Sequence, residues 1–246
     1  MGTHHSMNRS LYYHWIIPLP LLLIATYLLD VQGFDLRLAD AIYAFEGGSW
    51  NLHNSWLLET VIHNGGRMLV GALILLNLGA LASTWLSHRM RSYRVGLAYL
   101  LGAVITSLLI VSSLKGITHI SCPWDFQRYG GKQFYTPIIN AIFGSGTVRC
   151  FPAGHASGGY AWVALYFFCR LYKPQWRMAA LSVGLLLGMA FGLSQQFRGA
   201  HFLSHDLWTL AICWYTALAS YHCCFRHHTV AEYAIRKDQR LNADKV

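Results

Sequence analysis

Six long stretches of this chain carry no Asp, Glu, Lys or Arg, and they constrain its fold more than any other feature. They run from Leu11 to Leu29, Met68 to Leu86, Val95 to Leu114, Ala156 to Cys169, Met178 to Phe197 and Leu207 to Cys224. A membrane-spanning helix needs about 20 mostly apolar residues. The pattern predicts an all-α fold, an integral membrane bundle of six transmembrane helices, in which the short fourth run borrows flanking residues. A soluble helical protein with an apolar core would rarely contain six such runs.

The distribution of charge predicts the orientation of this bundle. Six spans place both termini on one side of the membrane, together with the loops at 87–94 and 170–177. That side carries twelve of the 19 Lys and Arg residues but three of the ten acidic residues. Positive charge in short loops marks the cytoplasmic face, so we expect both termini to be cytoplasmic. The net charge of +9 is then a topology signal, and we expect no nucleic-acid partner because no basic stripe is interleaved with aromatic residues.

The chain is expected to be a single membrane domain covering residues 1–246. Residues 1–6 resemble a tag remnant, and residues 225–246 are expected to form a cytoplasmic tail. The first apolar run is longer than the apolar core of a cleaved signal peptide, which has about 7–15 residues. We therefore interpret that run as a transmembrane helix.

Ionisable residues gather at the helix ends on the opposite, extracytoplasmic side. Lys115 ends the third helix, His155 begins the fourth, Arg198 and His201 end the fifth, and Asp206 begins the sixth. Ionisable groups at membrane depth are costly and by default suggest function. Cations can neutralise a phosphate, and histidines can attack phosphorus or protonate a leaving oxygen. The residue types at this face therefore favour phosphoryl chemistry.

Each of these residues also has another interpretation. Lys115 can extend to the lipid headgroups, and Arg198 can anchor the end of its helix. His201 and His205 share a helical face at a spacing of four residues and could bind zinc. The third ligand would then come from Asp206, His155 or His119. The other extracytoplasmic segment, residues 30–66, contains no recognisable chemical constellation.

Three motifs in this order resemble those of the type 2 phosphatidic acid phosphatase superfamily. The family pattern is K-x6-R-P, then P-S-G-H, then S-R-x5-H-x3-D, and this chain has KGITHISCP at 115–123, PAGH at 152–155 and SQQFRGAHFLSHD at 194–206. Four positions depart from the pattern. Cys122 and Gln195 stand where the family has arginine, Ala153 stands where it has serine, and His205 stands where it has aspartate. Asp206 follows one residue late.

The resemblance implies a metal-independent lipid phosphatase that needs no cofactor. His201 would be the nucleophile and form a phosphohistidine, His155 would protonate the leaving group, and Asp206 would orient His201. The phosphoryl oxygens would be held by Lys115, Arg198 and the Gly154 N–H, with Arg128 as a further candidate. Because the site is at membrane level, we expect a lipid phosphate monoester or diphosphate as substrate. The expected location is a bacterial inner membrane with the active site facing the periplasm.

Two other functions are compatible with the residues of the three motifs. A lipid phosphotransferase would use the same histidine intermediate, and a lipid-binding or transport protein would use none.

Cys122 and Cys150 flank the loop between the first two motifs on the oxidising side, where disulfides persist. We hypothesise a Cys122–Cys150 bridge, and two buried free thiols are the alternative. The sequence does not predict the oligomeric state.

Overall fold

The computed structural model describes residues 11–141 and 148–225, and they form a helical protein. The helices are α1 (Leu11–Val31), α2 (Phe34–Phe45), α3 (Trp56–Leu86), α4 (Arg94–Ile117), α5 (Ile138–Ala141), α6 (Gly154–Tyr160), α7 (Ala164–Tyr172), α8 (Arg177–Phe197) and α9 (Leu203–Phe225). Short 3-10 turns connect several of them. The expected tag remnant at 1–6 and the tail from 226 onward lie outside the described residues.

Four of these helices are long and apolar enough to cross a membrane, namely α1, α3, α8 and the segment His88–Ile117 that includes α4. The described chain is therefore an all-helical protein with membrane-spanning helices, as the sequence predicts. The fourth apolar run is divided into α6 and α7 by the 3-10 turn Ala161–Val163. Helix α9 has 23 residues, which corresponds to about 34 Å at 1.5 Å per residue, but polar residues in its first turns lower its hydropathy.

Close packing of α6 against α8 depends on glycines. A Cβ atom added to Gly159 of α6 would collide with the backbone of Gly188, and one added to Gly184 would collide with the backbone of Val163. Gly188 in turn makes room for the ring of Tyr160. Small residues four apart let membrane helices approach closely. This contact fixes the first turn of α6, which carries Gly154 and His155, relative to the end of α8.

The core lies between α4, α6, α7 and α9. It includes Val104, Val163, Phe167 and Leu218, all of which are at most 1% exposed. Tyr99 crosses it, and its hydroxyl donates to the carbonyl oxygen of Ala217 at 3.1 Å. This core holds the four helices in fixed register, so their ends can position a site.

The segment between α1 and α3 packs on the loop that follows α4. Phe126, Tyr129 and Phe202 are buried together, with Trp50 against them. Trp50 also fills the space beside Gly199, whose φ of +69° favours glycine. Asp35 of α2 accepts a hydrogen bond from the backbone N–H of Ser204 at 3.1 Å and so caps the first turn of α9. Burial raises the pKa of the Asp35 carboxyl to about 6.

Candidate active site

Four helices and one loop converge on a cavity of about 330 Å³ at one end of the bundle. It is formed by the first turns of α3 and α6, the last turns of α4 and α8, and the α8–α9 loop. The polar residues that line it are His63, Arg67, Lys115, His155, Gln195 and His201. Among the described lining residues none is acidic, so the cavity has the electrostatic character of an anion site.

His201 lies in the loop between α8 and α9 and is 5% exposed. Burial lowers the pKa of His201 well below its usual range, and the charge of Lys115 and the proximity of His205 lower it further. The nearby backbone of Cys150 acts in the opposite direction, because it favours the protonated imidazole. A lowered pKa keeps the imidazole neutral at physiological pH, and only the neutral ring has the lone pair that a nucleophile needs.

Lys115, Gly154 and His155 reach the same cavity, as the motifs predict. A Cβ atom on Gly154 would lie 3.6 Å from Nζ of Lys115, so the ammonium group lies close to the backbone at the start of α6. Nε2 of His155 lies 3.4 Å from the carbonyl oxygen of Ile62. That distance is too long for a strong hydrogen bond, so a substrate oxygen can compete for the histidine.

His205, rather than Asp206, contacts His201. The two Nδ1 atoms of His201 and His205 lie 3.4 Å apart. Asp206 points to α8 instead, where its Oδ2 accepts a hydrogen bond from Nε2 of Gln196 at 2.5 Å. Successive helical residues are rotated by about 100°, so the one-residue delay turns the carboxylate away from His201. His205 therefore occupies the position beside His201, and the orienting role expected of Asp206 stays a prediction.

Two arginines expected to bind phosphate have other partners. Arg198 is 7% exposed. Its guanidinium pairs with Glu59 at 2.7 Å and donates to the carbonyl oxygen of His53 at 2.7 Å. Arg128 lies on the surface and forms two hydrogen bonds to Asp40, at 2.6 and 2.5 Å, which hold the pKa of the Asp40 carboxyl below its usual range. Neither arginine lines the cavity. Glu59 in the first turn of α3 holds Arg198, and Asp40 of α2 holds Arg128.

The sequence analysis missed His63 and Arg67 of α3. Both lie in or beside the segment that was interpreted as having no chemical constellation, yet both line the cavity. The ring of His63 lies 4.4 Å from that of His155, measured between centroids. Nδ1 of His63 lies 3.3 Å from Nε2 of Gln195. Neither residue belongs to one of the three motifs. Their spacing of four residues, which puts both on one face of a helix, is the feature of the sequence that could have indicated them.

Cys122 and Cys150 are paired, with their Cα atoms 5.2 Å apart, a separation that is usual for disulfide-bonded cysteines. Asp125 lies close to both sulfurs, and among the described residues this is the group of His, Cys, Asp and Glu side chains within the distance of a shared metal ion. The disulfide leaves these two cysteines without the thiolates that bind a metal. In that same part of the chain, His201 and His205 have no third ligand of these types near enough to complete a zinc site.

Comparison with known proteins identifies the family. No curated protein and no solved structure matches the chain significantly. A sequence model of the PAP2 superfamily matches residues 96–228, which is more than half of the 246 residues. The match contains Lys115, Gly154, His155 and His201, and it confirms the family expected from the three motifs. The chain belongs to the PAP2 superfamily.

Proposed function

We propose that this protein is a membrane lipid phosphatase that hydrolyses a lipid phosphate monoester or diphosphate through a phosphohistidine on His201. The observation that carries the proposal is the convergence of Lys115, Gly154, His155 and His201 on one cavity, which no acidic residue lines in the described part of the chain. Membership of the PAP2 superfamily supports a phosphatase reaction. The apolar helices support a lipid substrate that reaches the cavity from the membrane.

In the first half of the proposed reaction, Nε2 of His201 attacks phosphorus and forms a P–N bond. The P–O bond to the lipid breaks, and the leaving oxygen keeps the electron pair and takes a proton from His155. Lys115 and the Gly154 N–H stabilise the phosphoryl oxygens, whose charge must be held in position during transfer.

In the second half, water attacks the phosphohistidine. His155, now neutral, accepts a proton from the water as its oxygen bonds to phosphorus. The P–N bond breaks, His201 recovers its lone pair, and inorganic phosphate leaves. A phosphotransferase would replace this water with the hydroxyl or phosphate oxygen of another lipid, so release of free phosphate distinguishes the two reactions.

We further propose that α6–α7 and α9 complete six spans, with both termini in the cytoplasm. The cavity would then open to the extracytoplasmic face, which is the periplasm if the protein belongs to a bacterial inner membrane. The Cys122–Cys150 bridge fits this orientation because disulfides persist there. It would tie the end of the first motif to the chain just before the second.

We propose that His205 is the positioning residue for His201, and substitutions can distinguish it from Asp206. His205→Ala is expected to lower kcat at least about tenfold with a smaller change in KM, because the ring of His201 loses its buried partner. His205→Asp restores the carboxylate of the family pattern and should recover part of kcat. Asp206→Asn should change kcat by less than about threefold. Steady-state kinetics that show a larger kcat loss for Asp206→Asn than for His205→Ala would return the role to Asp206.

A phosphate-release assay tests the function itself. Purified protein would be supplied with phosphatidic acid, phosphatidylglycerophosphate, an isoprenoid diphosphate and a phosphorylated glycolipid. We expect release of inorganic phosphate from at least one of them, inhibition by orthovanadate and no loss of activity with a metal chelator. Loss of activity with chelator would instead indicate a metal-dependent hydrolase. Tight lipid binding without phosphate release or phosphoryl transfer would indicate a binding or transport protein.

A further inference from the structure

Helix α3 contributes a cation to the cavity that has no partner within the described residues. Arg67 lines the cavity and is exposed, and neither it nor Lys115 forms an ion pair in the described part of the chain. Two unpaired cations that face the same cavity repel each other, and placing them near the membrane is costly. An anion bound between them would remove both penalties.

His63, one helical turn before Arg67, is fixed by a chain of contacts. Glu59 pairs with Arg198 at 2.7 Å, and Nη1 of Arg198 lies 3.5 Å from Oε1 of Gln195. Nε2 of Gln195 then approaches Nδ1 of His63 at 3.3 Å. Because the Gln195 amide nitrogen can only donate, this contact favours a neutral His63 with its proton on Nε2. An anion in the cavity would accept a hydrogen bond from this Nε2–H of His63.

Gly66 lets this part of α3 approach the site. A Cβ atom at position 66 would lie 2.8 Å from the ring of Phe191 and 3.3 Å from Nε2 of His155. A larger residue would therefore separate α3 from α8 and from His155. The close approach keeps both His63 and Arg67 at the cavity wall.

We infer that Arg67 and His63 of α3 bind the phosphoryl oxygens in the same cavity as Lys115 and Gly154. This inference rests on the proposed function and deepens it. Arg67 supplies a fixed fork of N–H donors, and His63 supplies one Nε2–H donor. Two positions where the family pattern has arginine hold Cys122 and Gln195 here, and neither side chain provides a cation. Helix α3 lies outside the matched residues 96–228, so this half of the phosphate site comes from a segment that the family motifs do not include.

Binding of inorganic phosphate tests the inference without requiring turnover. Isothermal titration calorimetry on the purified full chain should show that Arg67→Ala raises the Kd at least about tenfold, because it removes a charge-assisted hydrogen bond to the phosphate. Arg67→Lys should have an intermediate Kd because the charge remains but the fork is lost. Arg37→Ala is the matched control, since Arg37 lies over Phe34 outside the cavity, and it should bind phosphate like the wild type.

A second test moves the positive charge from position 67 to position 195. A purely structural role of Arg67 would not let this change restore phosphate binding. Gln195→Arg in the Arg67→Ala background puts an arginine beside His63 at another position of the cavity lining, and it should recover at least about threefold of the lost affinity. The KM for the lipid substrate and the orthovanadate Ki should change in parallel with the Kd. His63→Ala should also weaken phosphate binding, by about three- to tenfold.

The outcomes separate this inference from the function. A Kd for Arg67→Ala within twofold of the wild type overturns the inference, and phosphate release by the same variant would leave the function intact. If the wild-type protein releases no phosphate from any lipid, the proposed function is overturned. A weaker phosphate Kd for Arg67→Ala than for that wild type would still support the anion site. If Arg67→Ala weakens binding but also lowers the thermal stability, and Arg67→Lys and Gln195→Arg recover nothing, the role of Arg67 is structural and the inference fails.

Discussion

His201→Ala is expected to reduce phosphate release from lipid substrates by at least about 1,000-fold. Alanine has no lone pair to attack phosphorus, and a nucleophile that is removed from a covalent mechanism commonly costs far more than one order of magnitude in kcat. Residual catalysis would come from Lys115 and the remaining electrostatic contacts. The measurement is single-turnover phosphate release at saturating lipid.

His119→Ala is the matched control for this experiment. His119 is a half-buried histidine in the loop after α4, and it does not line the cavity, so its removal should leave turnover within about twofold of the wild type. Inorganic phosphate should still bind to the His201→Ala protein, because the cations remain. A His201→Ala protein that keeps a tenth or more of wild-type turnover would show that the nucleophile is another group.

Gly159→Ala is expected to destabilise the bundle by about 3 kcal/mol, at the upper end of the cost of overpacking. The added methyl group would meet the backbone of Gly188 on α8, and backbone cannot move aside as a side chain can. The helices must therefore separate, which also displaces Gly154 and His155. Thermal unfolding in one detergent should show a lower Tm, and phosphate release should fall with it.

Gly79→Ala makes the same chemical change inside α3, where no atom lies within 4 Å of the added Cβ. Because alanine favours the helix over glycine by up to about 1 kcal/mol, this variant should keep or slightly raise the Tm. Equal Tm changes for the two variants would show that the contact between α6 and α8 is not tight. A stable Gly159→Ala protein with normal activity would contradict the packing.

Sequence analysis identified the parts of the site that depend on local spacing. Lys115, His155 and His201 reach one cavity because long apolar helices place their ends at the same face, and the runs of residues without charge reveal those helices. The same reasoning predicted six spans, whereas the hydropathy of the described helices marks four. One of the other two predicted spans is divided into α6 and α7 by the 3-10 turn Ala161–Val163. The other, α9, carries His205 and Asp206 in its first turn.

Features that depend on tertiary contacts could not be predicted in this way. Arg198 is bound by Glu59, which precedes it by 139 residues, and no motif connects the two. The choice between His205 and Asp206 depends on where α9 begins, and one residue of helix turns a side chain by about 100°. His63 and Arg67 reach the cavity through the approach of α3 at Gly66, which the sequence shows only as a glycine pair.

Capture of the phosphorylated enzyme tests the central claim most directly. Protein would be mixed with a lipid phosphate substrate, stopped in alkali after milliseconds, digested and sequenced by mass spectrometry under conditions that preserve the P–N bond. We predict that phosphate is found on His201, that it forms and decays at rates consistent with turnover, and that it is absent in His201→Ala. Turnover with no phosphate on His201, or with phosphate on another residue, would contradict the mechanism.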